Sequence, residues 1–282
     1  MKKLILLVIS LALCNCLRAE QPDSVILRPV NASYMLRAGS AHIADTYLSP
    51  IKYSGWSTGI AYRRIQATKF SPDKWLMELG ISIDAQGTLN PTKSAKMWSG
   101  ALQIDYAMLW RKRLSNGFSI GVGPQLALLA GVRYLKINGN NPASARAALT
   151  LNATGFAAWH GNIGRLPVTL RYQPSLPVTG AFFSPDYGEL YYEIYLGNHS
   201  GLAQCAWWGN YFHFDNALTL DLHFGSTALR IGYQGSYEST KANNIVTRTF
   251  LHSAVIGISG DWISMPLRNT LSDKTKIITA AY

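Results

Sequence analysis

Ala217–Tyr237 reads ALTLDLHFGSTALRIGYQGSY, and its two-residue period on both sides of a short turn decides the fold class. Leu218, Leu220, Leu222 and Phe224 alternate with Thr219, Asp221 and His223; beyond the turn, Leu229, Ile231 and Tyr233 alternate with Arg230, Gly232 and Gln234. Such alternation puts apolar side chains on one face of a strand and polar ones on the other. A two-residue turn at Ser226-Thr227 sets Phe224 against Leu229, Leu222 against Ile231 and Leu220 against Tyr233. Any turn of even length keeps the apolar faces together. A strand with bulky apolar residues on one face and Asp, His, Arg and Gln on the other suits a wall between lipid and water.

The pattern continues along the chain. Trp75, Met77, Leu79, Ile81 and Ile83 alternate with Glu78, Gly80, Ser82 and Asp84, and Leu102, Ile104, Tyr106, Met108 and Trp110 alternate with Gln103, Asp105 and Ala107. Phe118 to Tyr134 follows the same rule, except that Pro124 interrupts it and Leu129 falls on the polar face. No helical period emerges from Asn31 to Tyr282, so the expected class is all-β, an antiparallel up-and-down transmembrane barrel. Strands are expected near 31–44, 54–69, 75–86, 99–112, 117–135, 147–160, 166–174, 188–197, 202–213, 217–224, 228–238 and 246–262, twelve in all, with ten as the alternative count. Long connections near 45–53, 87–98, 136–146 and 175–187 interleave with short ones near 70–74, 113–116, 161–165, 198–201 and 225–227. That alternation is the one outer-membrane barrels show between their outer and periplasmic sides, and it puts both termini in the periplasm. Trp75, Trp110, Trp159 and Trp262 fall at expected periplasmic strand ends, and Trp98, Tyr134, Tyr172 and Tyr237 near the others, as two interfacial girdles require.

The first 19 residues carry Lys2 and Lys3, an apolar run from Leu4 to Cys14 and a plausible cleavage point after Ala19. They read as a secretory signal peptide, because the apolar run falls well short of the roughly 20 residues of a spanning helix. The barrel is expected over 20–263 and a periplasmic tail over 264–282, with Lys276–Tyr282 as the part of that tail able to form a further segment. Removing Lys2, Lys3 and Arg18 takes the formal charge from +11 to +8. For an exported chain this surplus points to anionic lipid head groups or envelope glycans and not to nucleic acid. Two of three cysteines lie in the signal, so the lone Cys205 allows no disulfide framework in the mature chain.

Three segments resemble a known family: Asp45-Thr46-Tyr47-Leu48-Ser49-Pro50 with Tyr53-Ser54-Gly55, Tyr191-Tyr192-Glu193-Ile194 with Leu196-Gly197-Asn198, and Trp207-Trp208-Gly209-Asn210. They are similar to the exported Bacteroidetes proteins grouped as domain of unknown function 3316, over about Gly39 to Trp262. The resemblance implies an outer-membrane β-barrel and transfers no catalytic residue.

Candidate chemistry is sparse. Gly117-Phe118-Ser119-Ile120-Gly121 matches the nucleophile elbow G-x-S-x-G, but no helix follows and Ser119 continues into a strand. Asn198-His199-Ser200-Gly201 sits in an expected periplasmic turn, where adjacent residues cannot form a catalytic pair on one strand face. Asp105, Gln125, Arg133, Asp221, His223, Arg230 and Gln234 are the expected lumen lining, with His223 facing Arg230 and Asp221 on the diagonal. No histidine spacing fits a metal, and no glycine loop fits a nucleotide or other cofactor. The leading expectation is a monomeric, porin-like outer-membrane barrel, bathed in lipid, that acts by interaction or by limited passage of a small solute or glycan. The alternatives are an outer-membrane lipid hydrolase using inward groups such as His223, and a soluble exported glycan-binding β-sandwich. If Leu222 faces lipid at mid-membrane, Leu222→Arg should weaken insertion by about 2–4 kcal/mol; a vesicle-folding titration measures it, and unchanged insertion would reverse the assigned faces.

Overall fold

The computed structural model describes residues 26–139, 141–263 and 276–280. The expected signal at 1–19 and most of the expected tail at 264–282 lie outside them. In chain order the elements are β1 (Ile26–Leu27), β2 (Val30–Asp45), β3 (Ser49–Ala67), β4 (Trp75–Leu89), β5 (Lys96–Arg113), β6 (Phe118–Leu135), β7 (Ala143–Ile163), β8 (Leu166–Phe183), α1 (Tyr191–Tyr195), β9 (Ala203–Ala206), β10 (Tyr211–Phe224), β11 (Thr227–Ala242), β12 (Ile245–Trp262) and β13 (Lys276–Ile277). Each strand from β2 to β8 pairs antiparallel with the next; β8 pairs with β10, β10 with β11 and β11 with β12. The ring closes where β12 pairs with β2, from Thr247↔Asp45 to Trp262↔Val30. The result is a closed antiparallel barrel of ten strands. A soluble sandwich is thereby ruled out, because a sandwich needs two separate sheets.

Twelve strands become ten for two local reasons. The expected strand 188–197 contains α1, whose start is fixed by Glu193 reaching back to the Leu190 amide. The expected strands 202–213 and 217–224 are one strand interrupted once. β9 runs beside Gly180–Phe183 of β8, the chain swings out at 207–210, and β10 rejoins β8 from Asp215↔Ser175 onward. Asn210 braces the excursion, its side chain accepting from the Trp207 amide and donating to the Cys205 carbonyl. A Cβ at Gly209 would stand 2.0 Å from the tip of the exposed Trp207 ring, which would have to turn away. β8 meanwhile extends past its expected end at 174 to Phe183, through Pro174 and Pro177. Pro177 falls where the β7 register shifts and the β10 ladder has ended, so its missing N–H is tolerated, while Pro174 lies opposite Asn216 within the β10 ladder. Tyr172 is consequently nearer the short-turn end of β8, not in the opposite girdle.

The opening hairpin keeps its faces but shifts by two residues. Its turn is Gly225-Ser226, with Gly225 at φ +69, as a two-residue hairpin with glycine first prefers. Leu222 therefore faces Leu229, Leu220 faces Ile231, and Asp221, not His223, faces Arg230. The connections also differ from expectation. The one after β2 is the tight turn 46–48, that after β11 is Asn243-Asn244 with both residues at positive φ, and 184–210 is the long one. His199 and Ser200 thus lie in the long excursion, at the end opposite the expected periplasmic turn.

The outer wall is apolar along its middle, with Leu36, Ile60, Ile83, Val122, Leu126, Ile256 and Ile258 exposed. Leu129, on the polar face by sequence, is buried inside with Ala148, Phe182 and Tyr211. At the short-turn end the chain's last described residues return. β13 pairs parallel with β1, and Ile278 and Ala280 are buried among Ile65, Leu76, Leu109 and Phe156. Arg111 clasps this segment, donating from Nη1 to the carbonyls of Thr279 (2.9 Å) and Ala280 (3.1 Å). The Ile278 amide is bonded to the Leu27 carbonyl at 2.9 Å. Charge-assisted bonds contribute about 1.5–3 kcal/mol each. Arg111→Ala should therefore speed hydrogen exchange at the Ile278 amide about tenfold or more while barrel amides stay protected.

Candidate functional site

The barrel interior is the most densely functionalised part of the molecule, and strand parity builds it. Inward positions of β2, β3, β6, β7, β8 and β11 carry Arg37, Arg63, Arg133, Arg146, Arg171 and Arg230. Inward positions of β2, β4, β10 and β11 carry Asp45, Glu78, Asp84, Asp215, Asp221 and Glu238. Each of these arginines meets a carboxylate. Arg37 Nη2 lies 2.8 Å from Asp84 Oδ2, Arg133 Nη1 2.8 Å from Asp45 Oδ2, and Arg230 grips both Asp221 oxygens at 2.7 Å. Glu78 takes Arg171 at 3.1 Å and Arg63 at 3.3 Å, and Glu238 pairs with Arg146. Glutamines fill the gaps: Gln234 accepts from Arg37, Gln173 from Arg63 and Arg171, and Gln103 bridges Asp105 and Asp215. His213 lies 3.2 Å from Asp215 and 3.1 Å from the Ser236 hydroxyl.

Two inward glycines make room for this crowd. Asp84 folds over Gly59, its neighbour across the β3–β4 ladder, and Asp105 over Gly80 across the β4–β5 ladder. Any Cβ at those glycines would displace the carboxylate.

Apolar layers bound the polar middle at each end. Towards the long connections Ile43, Leu48, Tyr53, Met97 and Leu135 pack together. Above them the turn after β2 forms a clasp. Asp45 Oδ1 accepts the Tyr47 amide, Thr46 Oγ1 accepts the Val246 amide, and the Tyr47 hydroxyl donates to the Glu189 carbonyl at 2.6 Å. Burial, reinforced by Tyr191 and Glu189, raises the Tyr47 pKa well above its ordinary value, so that hydroxyl keeps its proton. Burial raises Tyr191 as well, and its hydroxyl accepts the Ala145 amide. At the other end the layer includes the returning Ile278 and Ala280. Between the layers, cavities of about 60 and 40 Å³ lie against Arg37, Gln103 and Gln234. Such spaces hold water molecules, whereas ligand pockets run to about 300–1,000 Å³.

All seven residues named from sequence project inward. Arg230, Asp221 and Arg133 stand in ion pairs, and Gln234 and Gln125 hydrogen-bond to Arg37 and Ser175. Asp105 is held by Gln103 and, among the described residues, has no arginine within ion-pair distance. His223 is not part of the Arg230 pair; its Nε2 lies 2.9 Å from Thr169 Oγ1. Of Asp45–Pro50, Asp45 and Leu48 are buried, Thr46 and Tyr47 make the clasp, and Ser49-Pro50 open β3. The expected lumen lining leaves out Arg37, Arg63, Arg146, Arg171, Asp215 and Glu238, and also Glu78 and Asp84, which the alternation of their strand already puts on the polar face. The signal was their parity opposite outward apolar neighbours, most plainly Arg171 between Leu170 and Tyr172. Among the described residues no three His, Cys, Asp or Glu side chains converge as a metal site.

Removing one partner of a buried pair leaves the other charged and unpaired, at about 3–5 kcal/mol. Arg133→Ala should lower barrel stability by that amount in denaturant unfolding from detergent micelles, and adding Asp45→Ala should recover part of it.

The model of the family described as "Protein of unknown function (DUF3316)" matches residues 4–269, and the chain belongs to that family. No curated protein matches it. Among solved structures it is similar to the translocator domain of autotransporter NalP from Neisseria meningitidis, at 8% identity over 89% of this chain and 92% of that one, TM-score 0.36. It is likewise similar to the transport unit of the autotransporter AIDA-I from Escherichia coli, at 9% identity over 87% and 92%, TM-score 0.35. A third is the TodX monoaromatic hydrocarbon channel deltaS2 mutant, at 9% identity over 86% and 91%, TM-score 0.25. These likenesses concern the barrel fold alone.

Proposed function

We propose that this member of the family is a monomeric outer-membrane barrel that does not conduct solutes and works through the surface at its long-connection end. The observation that carries this reading is the filled interior, in which arginine–carboxylate pairs span the lumen between two apolar layers. A passing solute would have to break several of those pairs at once, each worth several kcal/mol when half removed. Lipid contact falls to the outer wall, where Leu36, Ile60, Tyr62, Ile81 and Ile256 line an apolar concavity of about 660 Å³. With short turns and both termini towards the periplasm, the segment 184–210 faces outward from the cell.

That segment carries large exposed side chains. Tyr192 and Tyr195 are 66% and 83% exposed, with rings stacked at 6.4 Å and 26°, and Tyr187 and Leu196 are exposed beside them in sequence. Tyrosine offers a rigid flat face with a polar tip at small entropic cost, which suits the alternating C–H and hydroxyl surface of a glycan. In planar bilayers the folded protein should give no stepwise conductance; a stable open level would refute the closed-barrel reading. On glycan arrays wild type should bind at least one polysaccharide class, and Tyr192→Ala with Tyr195→Ala should lose it; equal binding by both proteins would remove these rings from the function.

A further inference from the structure

Near the short-turn end, four inward side chains on four adjacent strands form one row: Ser119 on β6, His160 on β7, Thr169 on β8 and His223 on β10. Register places them. Ser119 pairs with Ala158, two residues from His160; His160 lies directly across from Thr169; Thr169 lies across from Asp221, two residues from His223. Ser119 Oγ is 3.5 Å from His160 Nε2, His160 Nδ1 is 3.0 Å from Thr169 Oγ1, and Thr169 Oγ1 is 2.9 Å from His223 Nε2. Thr169 has a single hydroxyl proton, so it donates to one imidazole and accepts from the other. When His160 donates from Nδ1 and Thr169 donates to His223, the lone pair on His160 Nε2 points at Ser119. A serine hydroxyl facing an imidazole whose far nitrogen is held by a third group is the arrangement that activates a weak nucleophile, and such contacts are commonly long before substrate binds.

From this geometry we propose that the short-turn mouth is an esterase site, with Ser119 as nucleophile and His160 as its general base. Ser119 Oγ attacks the ester carbonyl carbon while its proton passes to His160 Nε2. The bond to the alcohol oxygen then breaks, and the alcohol departs with that proton. Water attacks the acyl-serine, gives a proton to His160, and the carboxylic acid leaves as Ser119 Oγ regains it. Thr169 is a positioning residue that fixes the His160 tautomer, and His223 holds Thr169.

The surroundings name the substrate class. Arg113 stands directly across the β5–β6 ladder from Ser119 and donates from Nη2 to the Thr279 carbonyl of the returning segment at 3.3 Å; once a substrate displaces that segment, the guanidinium can meet the oxygen on which negative charge develops. Phe156 and Ala158, beside His160 on β7, belong to the apolar layer that also holds Ile278 and Ala280. An ester with an apolar acyl chain fits this combination, its chain taking the place of the returning C-terminal segment. That segment is then a cover over the acyl side of the site.

A fluorophosphonate probe tests this, because it bonds to a nucleophilic serine with loss of fluoride. The full-length protein folded in detergent should be labelled on the peptide bearing Ser119. Label should vanish in Ser119→Ala and fall about 100-fold in His160→Gln, the scale of a general base. Thr169→Val should slow labelling and Thr169→Ser should restore it, which a merely structural Thr169 would not require. Arg111→Ala, which frees the cover, should label faster than wild type. Hydrolysis of a 4-nitrophenyl acyl ester should follow the same order. Folding of every variant is read from heat-modifiable gel mobility. Absence of label from both folded wild type and folded Arg111→Ala overturns the proposal, as does undiminished label in Ser119→Ala.

Discussion

Every backbone N–H and C=O in a membrane wall must find a partner within the protein, since lipid supplies none. The β12–β2 ladder closes this sheet as such a wall would require, and the remaining architecture follows from closure. Strands without free edges need only alternate, and the register shift beside Pro177 falls where the β8–β10 ladder has ended. The break between β9 and β10 shows the same constraint at work. Where β8 loses its neighbour near Pro177, the Trp208 indole N–H turns back to that residue's carbonyl.

Closure also encloses an interior that has to be filled. Ten strands leave a lumen too wide for apolar side chains from the wall to meet throughout, and here the middle is spanned by long charged ones. The choice of cation is instructive. Every described lysine is exposed, whereas Arg37, Arg111, Arg133, Arg171 and Arg230 are buried. A guanidinium offers five donors in a rigid fork and is less strongly hydrated than an ammonium. Arg230 can therefore hold two Asp221 oxygens and the Ser33 hydroxyl together. A lysine in its place would present three donors from a single atom, without the planar fork that matches both Asp221 oxygens, and would lose more hydration.

The alternation that made the barrel legible in Leu218–Phe224 and Leu229–Tyr233 also made inward residues legible, because parity is a local property. What parity cannot give is partner choice. The two-residue shift of the opening hairpin left both faces intact, yet it exchanged His223 for Asp221 opposite Arg230. Strand number failed for a related reason. The expected strand 202–213 runs through Trp207-Trp208-Gly209-Asn210 and the expected break follows at 214–216, whereas the chain leaves the sheet at 207–210 and 214–216 lie inside β10; the Asn210 bonds that brace the excursion depend on Cys205 and Trp207 being already in place. The pairs that cross the lumen, such as Arg133 with Asp45, join residues far apart in sequence and have no local signal at all.

The same distinction separates the two ends of the lumen. In the middle, almost every strong donor faces a strong acceptor of opposite charge, an arrangement that fixes the wall and leaves little for chemistry. Ser119, His160, Thr169 and His223 are different in kind, since each hydroxyl and imidazole can both give and receive a proton. A row of such groups can exchange protons without breaking an ion pair, so it can change state while the barrel does not. Its place beside the apolar layer and Arg113, at the short-turn end of the wall, puts this row where a substrate that displaces the returning segment could reach it without crossing the ion-paired middle.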